Sequence, residues 1–270
     1  MKNYCLFIII VVALLPSCKK NETYGESYSL VFLPRKVIKV FIAPGERIYT
    51  YNDGIKKLNH YVTLFEDSVT ESQFFISILS SNYDPRQGFD KNYPESNPQT
   101  TIMPIFYPSF LDSLNDPIPS VEQQIKMDYE KSYQSSSNSG TASGKAYNNL
   151  IDVEYRTTQI KYLAISTLNT TLFGKYAGES LNDFFDIVQY DPPFIVSAPT
   201  ERLVYGYSSM DYPTSIDEWL SLLPLGQATM YLVPNKKMEG LPLDVQFVVQ
   251  LETTEGLFMS DTTRMITITE

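Results

Sequence analysis

The sequence predicts a mainly β chain with an antiparallel, sandwich-like (Ig-like) architecture and one or two short helices. Three observations carry this. Short runs rich in Val, Ile, Tyr and Phe recur, separated by Pro, Gly, Asn and Asp, which is the pattern of strands and turns. The 270 residues are 43% hydrophobic and 19% charged, enough apolar material to bury a core. No segment repeats at a fixed period, which argues against a solenoid.

Taken in order, Val37 to Ile42 reads as a strand stopped by Pro44-Gly45. Arg47 to Tyr51 follows, then a turn at Asn52-Asp53-Gly54. Tyr61 to Phe65 and Phe74 to Leu79 are further strands. Residues 82–119 carry Pro85, Pro94, Pro98, Pro104, Pro108, Pro117 and Pro119. Proline removes a ladder donor, so this stretch reads as irregular or edge structure. Val121 to Tyr133 has the composition of a helix.

A polar, Ser-rich segment at 134–146 reads as a flexible loop inside one β-rich domain, 28–270. The alternative is a linker between two domains, 28–133 and 147–270. Beyond it, Gln159 to Ile165 is a strand. Ser180 opens a helical turn with Asp183 three residues on. Ser215 caps a short helix to Leu223, with Glu218 completing a capping box and Trp219, Leu222 and Leu223 forming its apolar face. Met230 to Val233 is a strand. Asp244–Thr253 and Leu257–Ile268 read as a closing hairpin around Thr254-Glu255-Gly256, with Val245, Phe247, Val249 and Leu251 alternating inward.

The N-terminus carries a different signal. Lys2 precedes an apolar run from Tyr4 to Leu15, about a dozen residues against the roughly 20 that span a bilayer as a helix. A basic start and a short apolar run make a secretory leader, residues 1–17. Its end, Leu15-Pro16-Ser17-Cys18, resembles a bacterial lipobox, although Pro16 departs from the usual small or aliphatic residue. The resemblance implies cleavage before Cys18, acylation of that Cys, and attachment to the membrane through its lipid. Two or more acyl chains anchor stably where one does not. An ordinary leader with Cys18 as a free thiol is the alternative. Cys5 falls in the leader, so the mature monomer cannot form a disulfide. Residues 18–27 form a polar tether. Lys19 after the Cys resembles outer-membrane retention; the basic flank leaves both the periplasmic and the surface face open.

Residues Ala177-Gly178-Glu179-Ser180-Leu181-Asn182-Asp183-Phe184-Phe185, together with the C-terminal hairpin, resemble uncharacterised lipoproteins of gut Bacteroidetes. The likeness spans roughly 150–270. It implies an envelope location and β architecture, and no activity.

Composition narrows the chemistry. Lys plus Arg is 21 against 31 Asp plus Glu, a formal charge of −10, which disfavours nucleic acid as a partner. His60 is the sole imidazole and sits in a strand start, more in keeping with a structural role than with a Ser-His-Asp triad. No Gly-x-Ser-x-Gly elbow exists. One His and two Cys leave no zinc ligand set. Gly140 to Lys145 is one residue short of a P-loop, ends in Ala146 and lacks a preceding strand. Glu179, Asp183, Asp186 and Asp191 form an acidic group; solvated carboxylates and helix capping account for it better than a Ca²⁺ site. No catalytic residue, metal or cofactor is assigned.

Tyr205, Tyr207, Tyr212 and Trp219 cluster between Pro199 and Pro224. They are candidate ligand-contact aromatics, and a glycan platform would need them exposed. The plain alternative puts Trp219 in the core. The functional expectation is an outer-membrane-anchored lipoprotein with a non-catalytic binding or envelope-structural role, its partner a glycan or an envelope or host protein. A carboxylate-dependent glycan hydrolase and a subunit of an envelope or surface assembly are the alternatives.

Overall fold

The computed structural model describes residues 28–37, 39–52, 55–62, 67–80, 101–102, 114–137, 149–188, 190–197, 203–207, 212–227 and 229–270. Cys18, the leader, the tether and residues 138–146 lie outside the described residues.

The chain is mainly β, as the alternation predicts. Its first strands are β1 (Tyr28–Arg35), β2 (Phe41–Asn52), β3 (Ile55–Val62), β4 (Ser68–Thr70), β5 (Phe74–Leu79) and β6 (Thr101–Ile102). Helix α1 (Pro119–Ser137) follows, then β7 (Asn149–Arg156) and β8 (Ile160–Thr167). After a 3₁₀ turn at Asn182–Phe184 come β9 (Phe185–Val188), β10 (Tyr190–Ser197), β11 (Leu203–Tyr207), β12 (Thr214–Ser215) and helix α2 (Ile216–Ser221). The chain closes with β13 (Thr229–Pro234), β14 (Leu243–Val245), β15 (Phe247–Thr253), β16 (Phe258–Thr262) and β17 (Ile266–Thr269).

Among the described residues four sheets form, in the orders β12-β9-β13-β5-β2-β3-β6, β16-β15-β8, β14-β17-β4 and β1-β7-β11-β10. The main core lies between the largest sheet and the sheet of β15. Phe74, Ile76 and Ile78 of β5 share one core cluster with Phe247, Val249 and Leu251 of β15. Phe74 stacks on Phe247 at 5.3 Å between ring centroids, and Phe185 meets Phe247 edge-on at 5.9 Å. β15 alternates buried and half-buried residues along its whole length, the signature of a strand with one face inward. β5 is buried on both faces, so its continuous apolar run Phe74–Leu79 is legible as an inner strand.

The fourth sheet departs from the all-antiparallel expectation. β1 runs parallel to β7, and β11 runs parallel to β7. Its inner face carries Leu30, Phe32, Val153, Tyr155 and Tyr205, closed by Val121 and Ile125 of α1. Tyr155 fixes that helix: its hydroxyl donates to Glu122 Oε1 (2.7 Å) and accepts from Ile118 N–H (2.9 Å). Strands from before and after residues 134–146 thus share sheets.

Several local expectations need correction. Pro44-Gly45 does not end a strand; β2 runs through it. Among the described residues β3 pairs with β2 only as far as Gly45, while β5 pairs from Phe41 to Glu46, so Pro44 has one described strand neighbour, β5. That is where a missing N–H is tolerated. Asn52 pairs with Ile55, so β2 and β3 are antiparallel neighbours, while Asp53 and Gly54 of the expected turn lie outside the described residues. α1 extends past Tyr133 into the Ser-rich run as far as Ser137. The closing hairpin is real for β15 and β16, but β17 leaves it to pair with β14 and, in parallel, with β4.

Candidate functional site

Ser215 behaves as the sequence predicts. Its Oγ accepts from Glu218 N–H at 3.2 Å, satisfying one orphan donor of α2. The helix is shorter than expected and ends at Ser221. Trp219 and Ile216 are its buried residues, and Trp219 belongs to the main core. Leu222 and Leu223 do not continue the apolar face; they are 57% and 49% exposed. The cause is the backbone at Leu223, which turns left-handed with φ +46°. Its N–H donates to Leu220 O at 3.0 Å, closing the helix end.

The aromatic cluster is therefore divided. Trp219 is fully buried and Tyr205 nearly so, which removes both from an exposed stacking platform. Tyr212 is 51% exposed. The side chain of Tyr207 lies outside the described residues.

Tyr205 instead lines a pocket of about 290 Å³ with Gly206, Leu222, Leu223, Pro224, Leu225 and Gln227. Two segments build it. One is the end of β11, where Gly206 takes φ +85°, a conformation glycine adopts at no steric cost. A Cβ there would sit 2.4 Å from Gln227 Nε2, so glycine also permits the close approach of the two segments. The other is the stretch after α2. It is pinned to the start of β8: Ile160 N–H donates to Pro224 O (2.8 Å) and Gly226 N–H to Thr158 O (2.9 Å). Gln159 Nε2 reaches Leu223 O at 3.3 Å, and Gln159 bridges Leu225. Ser80 Oγ donates to Gln227 O.

The pocket's place follows from β1. Leaving that strand, Lys36 pairs with Glu255 at 3.3 Å and Val37 N–H donates to Thr158 Oγ1 at 3.1 Å. Val37 then packs on Gly226, where a Cβ would lie 3.1 Å from its Cγ2. The pocket thus sits near the end of β1 opposite Tyr28. Eight residues at about 3.3 Å each put roughly 25 Å between the two ends of the strand.

The acidic group has structural work. Glu179 Oε2 accepts from Tyr176 N–H at 2.6 Å, and Asp186 Oδ1 accepts from Asn235 Nδ2 at 3.0 Å. The expected capping by Ser180 and Asp183 does not form: the 3₁₀ turn starts after Leu181 with no side-chain cap, and Ser180 Oγ accepts from Asn182 N–H at 3.3 Å. Asn182 itself holds the edge of β8. Its Oδ1 accepts from Ile165 N–H (3.1 Å) and its Nδ2 donates to Leu163 O (2.8 Å). Among the described residues, no group of three His, Cys, Asp or Glu side chains is placed to hold a metal ion. Among them, too, no helix is long and apolar enough to cross a membrane. The backbone of His60 pairs with Arg47 in the β2–β3 ladder, while its side chain lies outside the described residues.

Sequence reasoning missed Gly206, Leu222, Leu223 and Gln227 as pocket residues. The usable signal was Leu-Leu-Pro-Leu-Gly directly after a capped helix too short to bury that many leucines. No family model, curated protein or solved structure matches the chain.

Proposed function

We propose that this chain is a lipoprotein anchored through Cys18 to the outer membrane, with a non-catalytic binding role exercised at the end of the domain remote from the tether. The observation that carries the reading is the sequence Leu15-Pro16-Ser17-Cys18 closing a short apolar leader. Ten tether residues, 18–27, reach at most about 35 Å when extended, so the domain can stand clear of the lipid surface. β1 then carries the chain from Tyr28 towards the pocket end. A tether that joins the domain at Tyr28, with the pocket near the other end of β1, suits a protein that holds a ligand or partner away from its own membrane.

The test is fractionation of the full-length protein and its Cys18→Ala variant in the organism that makes it, with protease added to intact cells. Wild type should sediment with outer membranes and the variant should be released or retained with its leader uncut. Cleavage on intact cells places the domain on the surface, and protection until lysis places it in the periplasm. A variant that fractionates and is processed just as wild type contradicts the anchor.

A further inference from the structure

We infer that the pocket between Tyr205 and the Leu222–Gln227 segment is a binding site for a compact, uncharged, largely apolar molecule carrying one hydroxyl group. The inference deepens the binding reading above and rests on it for the pocket's purpose, but not on the anchor.

Two non-glycine residues among the described ones have left-handed backbone, Phe173 at φ +53° and Leu223 at φ +46°. Such a conformation is strained for a residue that bears a side chain, and it persists where something over-determines it. For Phe173 the compensation is visible. With Gly174 it forms the tight turn closed by two hydrogen bonds between Leu172 and Lys175, and its ring stacks on Phe184 at 4.7 Å and meets Phe185 edge-on. Leu223 is held through its backbone, by Leu223 N–H on Leu220 O and Gln159 Nε2 on Leu223 O, while its side chain stays half exposed. Glycine would serve the helix end better, yet a leucine stands there with half its surface in water, beside the half-exposed Leu222. Both are pocket walls. The strained turn thus delivers two apolar side chains to the rim of a cavity rather than to the core.

The floor supplies the second, independent observation. Gln227 is only 5% exposed and lines the pocket. Its Nε2 makes one long contact, 3.5 Å to Leu225 O. Among the described residues no donor reaches its Oε1. That oxygen is open to the cavity rather than sealed in the core, and a ligand group that donates to it adds a hydrogen bond there. A hydroxyl suits the position because it can donate to Oε1 or accept from Nε2. Among the described residues lining the pocket no side chain is charged, so none of them would compensate an ionised ligand for its lost hydration. At about 290 Å³ the site lies at the small end of ligand pockets, which run about 300–1,000 Å³. The class is therefore a ring-sized alcohol or phenol rather than an oligosaccharide.

Trp219, the single tryptophan, sits one turn before the pocket wall and its carbonyl accepts from Leu222 N–H at 3.2 Å. Its emission in the full chain, held in detergent micelles, reports the site while cyclohexylmethanol or methylcyclohexane is added; neither absorbs at the excitation wavelength. Wild type should give a saturable change with the alcohol and bind it about fivefold more tightly than the hydrocarbon. Gln227→Leu should abolish that preference. Leu223→Gly, which relieves the backbone strain and so keeps the fold, should weaken both compounds. A linear response identical in all three proteins is mere partition into the micelle and overturns the inference, as does equal affinity of wild type for the two compounds. Neither result bears on the anchor, which the fractionation of Cys18→Ala decides separately.

Discussion

Replacing Asn182 by alanine should cost about 2–3 kcal/mol of stability, although the residue is only half-buried and does not line the pocket of Tyr205 and Gln227. β8 stands at the edge of its sheet, with β15 on one side. On the other side its backbone is met by residues 178–182: Gly178 N–H donates to Thr167 O, and Leu181 N–H to Ile165 O. Asn182 completes the series with its side chain, accepting from Ile165 N–H and donating to Leu163 O at 3.1 and 2.8 Å. Leu163 and Ile165 are fully buried. Alanine strands one donor and one acceptor, each worth about 1–3 kcal/mol when unsatisfied, and partial access of water at Asn182 places the sum at the low end. Urea unfolding followed by Trp219 emission measures it. Asn182→Asp separates the two bonds. Its carboxylate keeps the acceptor but faces Leu163 O without a proton, so the variant should be destabilised near neutrality. The unpaired contact with Leu163 O should raise the pKa of that carboxyl in the folded state, so stability should recover, relative to wild type, as pH falls from that raised value towards about 4, and level off below it. An alanine variant within about 0.5 kcal/mol of wild type would refute the edge-capping argument.

Other consequences can be checked in the same way. Tyr155 and Tyr231 have phenols pushed above their ordinary value, Tyr155 by burial and then by Glu122, and Tyr231 by burial alone. Folded values above unfolded ones mean that stability is intact below pH 10 and falls as pH rises beyond it, by at most about 1.4 kcal/mol per pH unit for each group. Alkaline denaturation curves should show this, and Tyr231→Phe should flatten the slope. Ser215→Ala should cost about 1 kcal/mol by removing the cap of α2, read from the urea midpoint. Gly206→Ala should cost about 2 kcal/mol or more, because its Cβ meets Gln227 and its backbone is left-handed; circular dichroism melts should show the loss. Leu223→Gly should raise the melting temperature by relieving the left-handed leucine, even as it weakens ligand binding.

The parts of the fold legible in the sequence are those where one local rule decides. The alternation Val245, Phe247, Val249, Leu251 fixes which face of β15 is buried, because strand side chains alternate with period two. Ser215 with Glu218 marks the start of α2, because an orphan N–H needs an acceptor. Strand order was not legible. Nothing in Tyr28–Arg35 announces a parallel partner 121 residues on, since pairing depends on the whole assembly. The pocket was half legible. Residues 205–224 stood out for their aromatics, but Trp219 went to the core and Leu223 turned outward on a backbone angle that no leucine advertises. Gly178 to Phe185 stood out as a motif, and the structural use of its Asn182, as a surrogate strand neighbour, depends on contacts with β8 that sequence does not display.

Cys18 decides whether the protein is anchored, and the mass of the mature N-terminal peptide tests this most directly. Protein purified from the membranes of its own organism, digested and measured by mass spectrometry, should yield a peptide beginning at Cys18 and carrying a thioether-linked diacylglycerol with or without an amide-linked acyl chain. A mature chain that begins elsewhere, or an unmodified thiol at Cys18, would contradict the anchored reading.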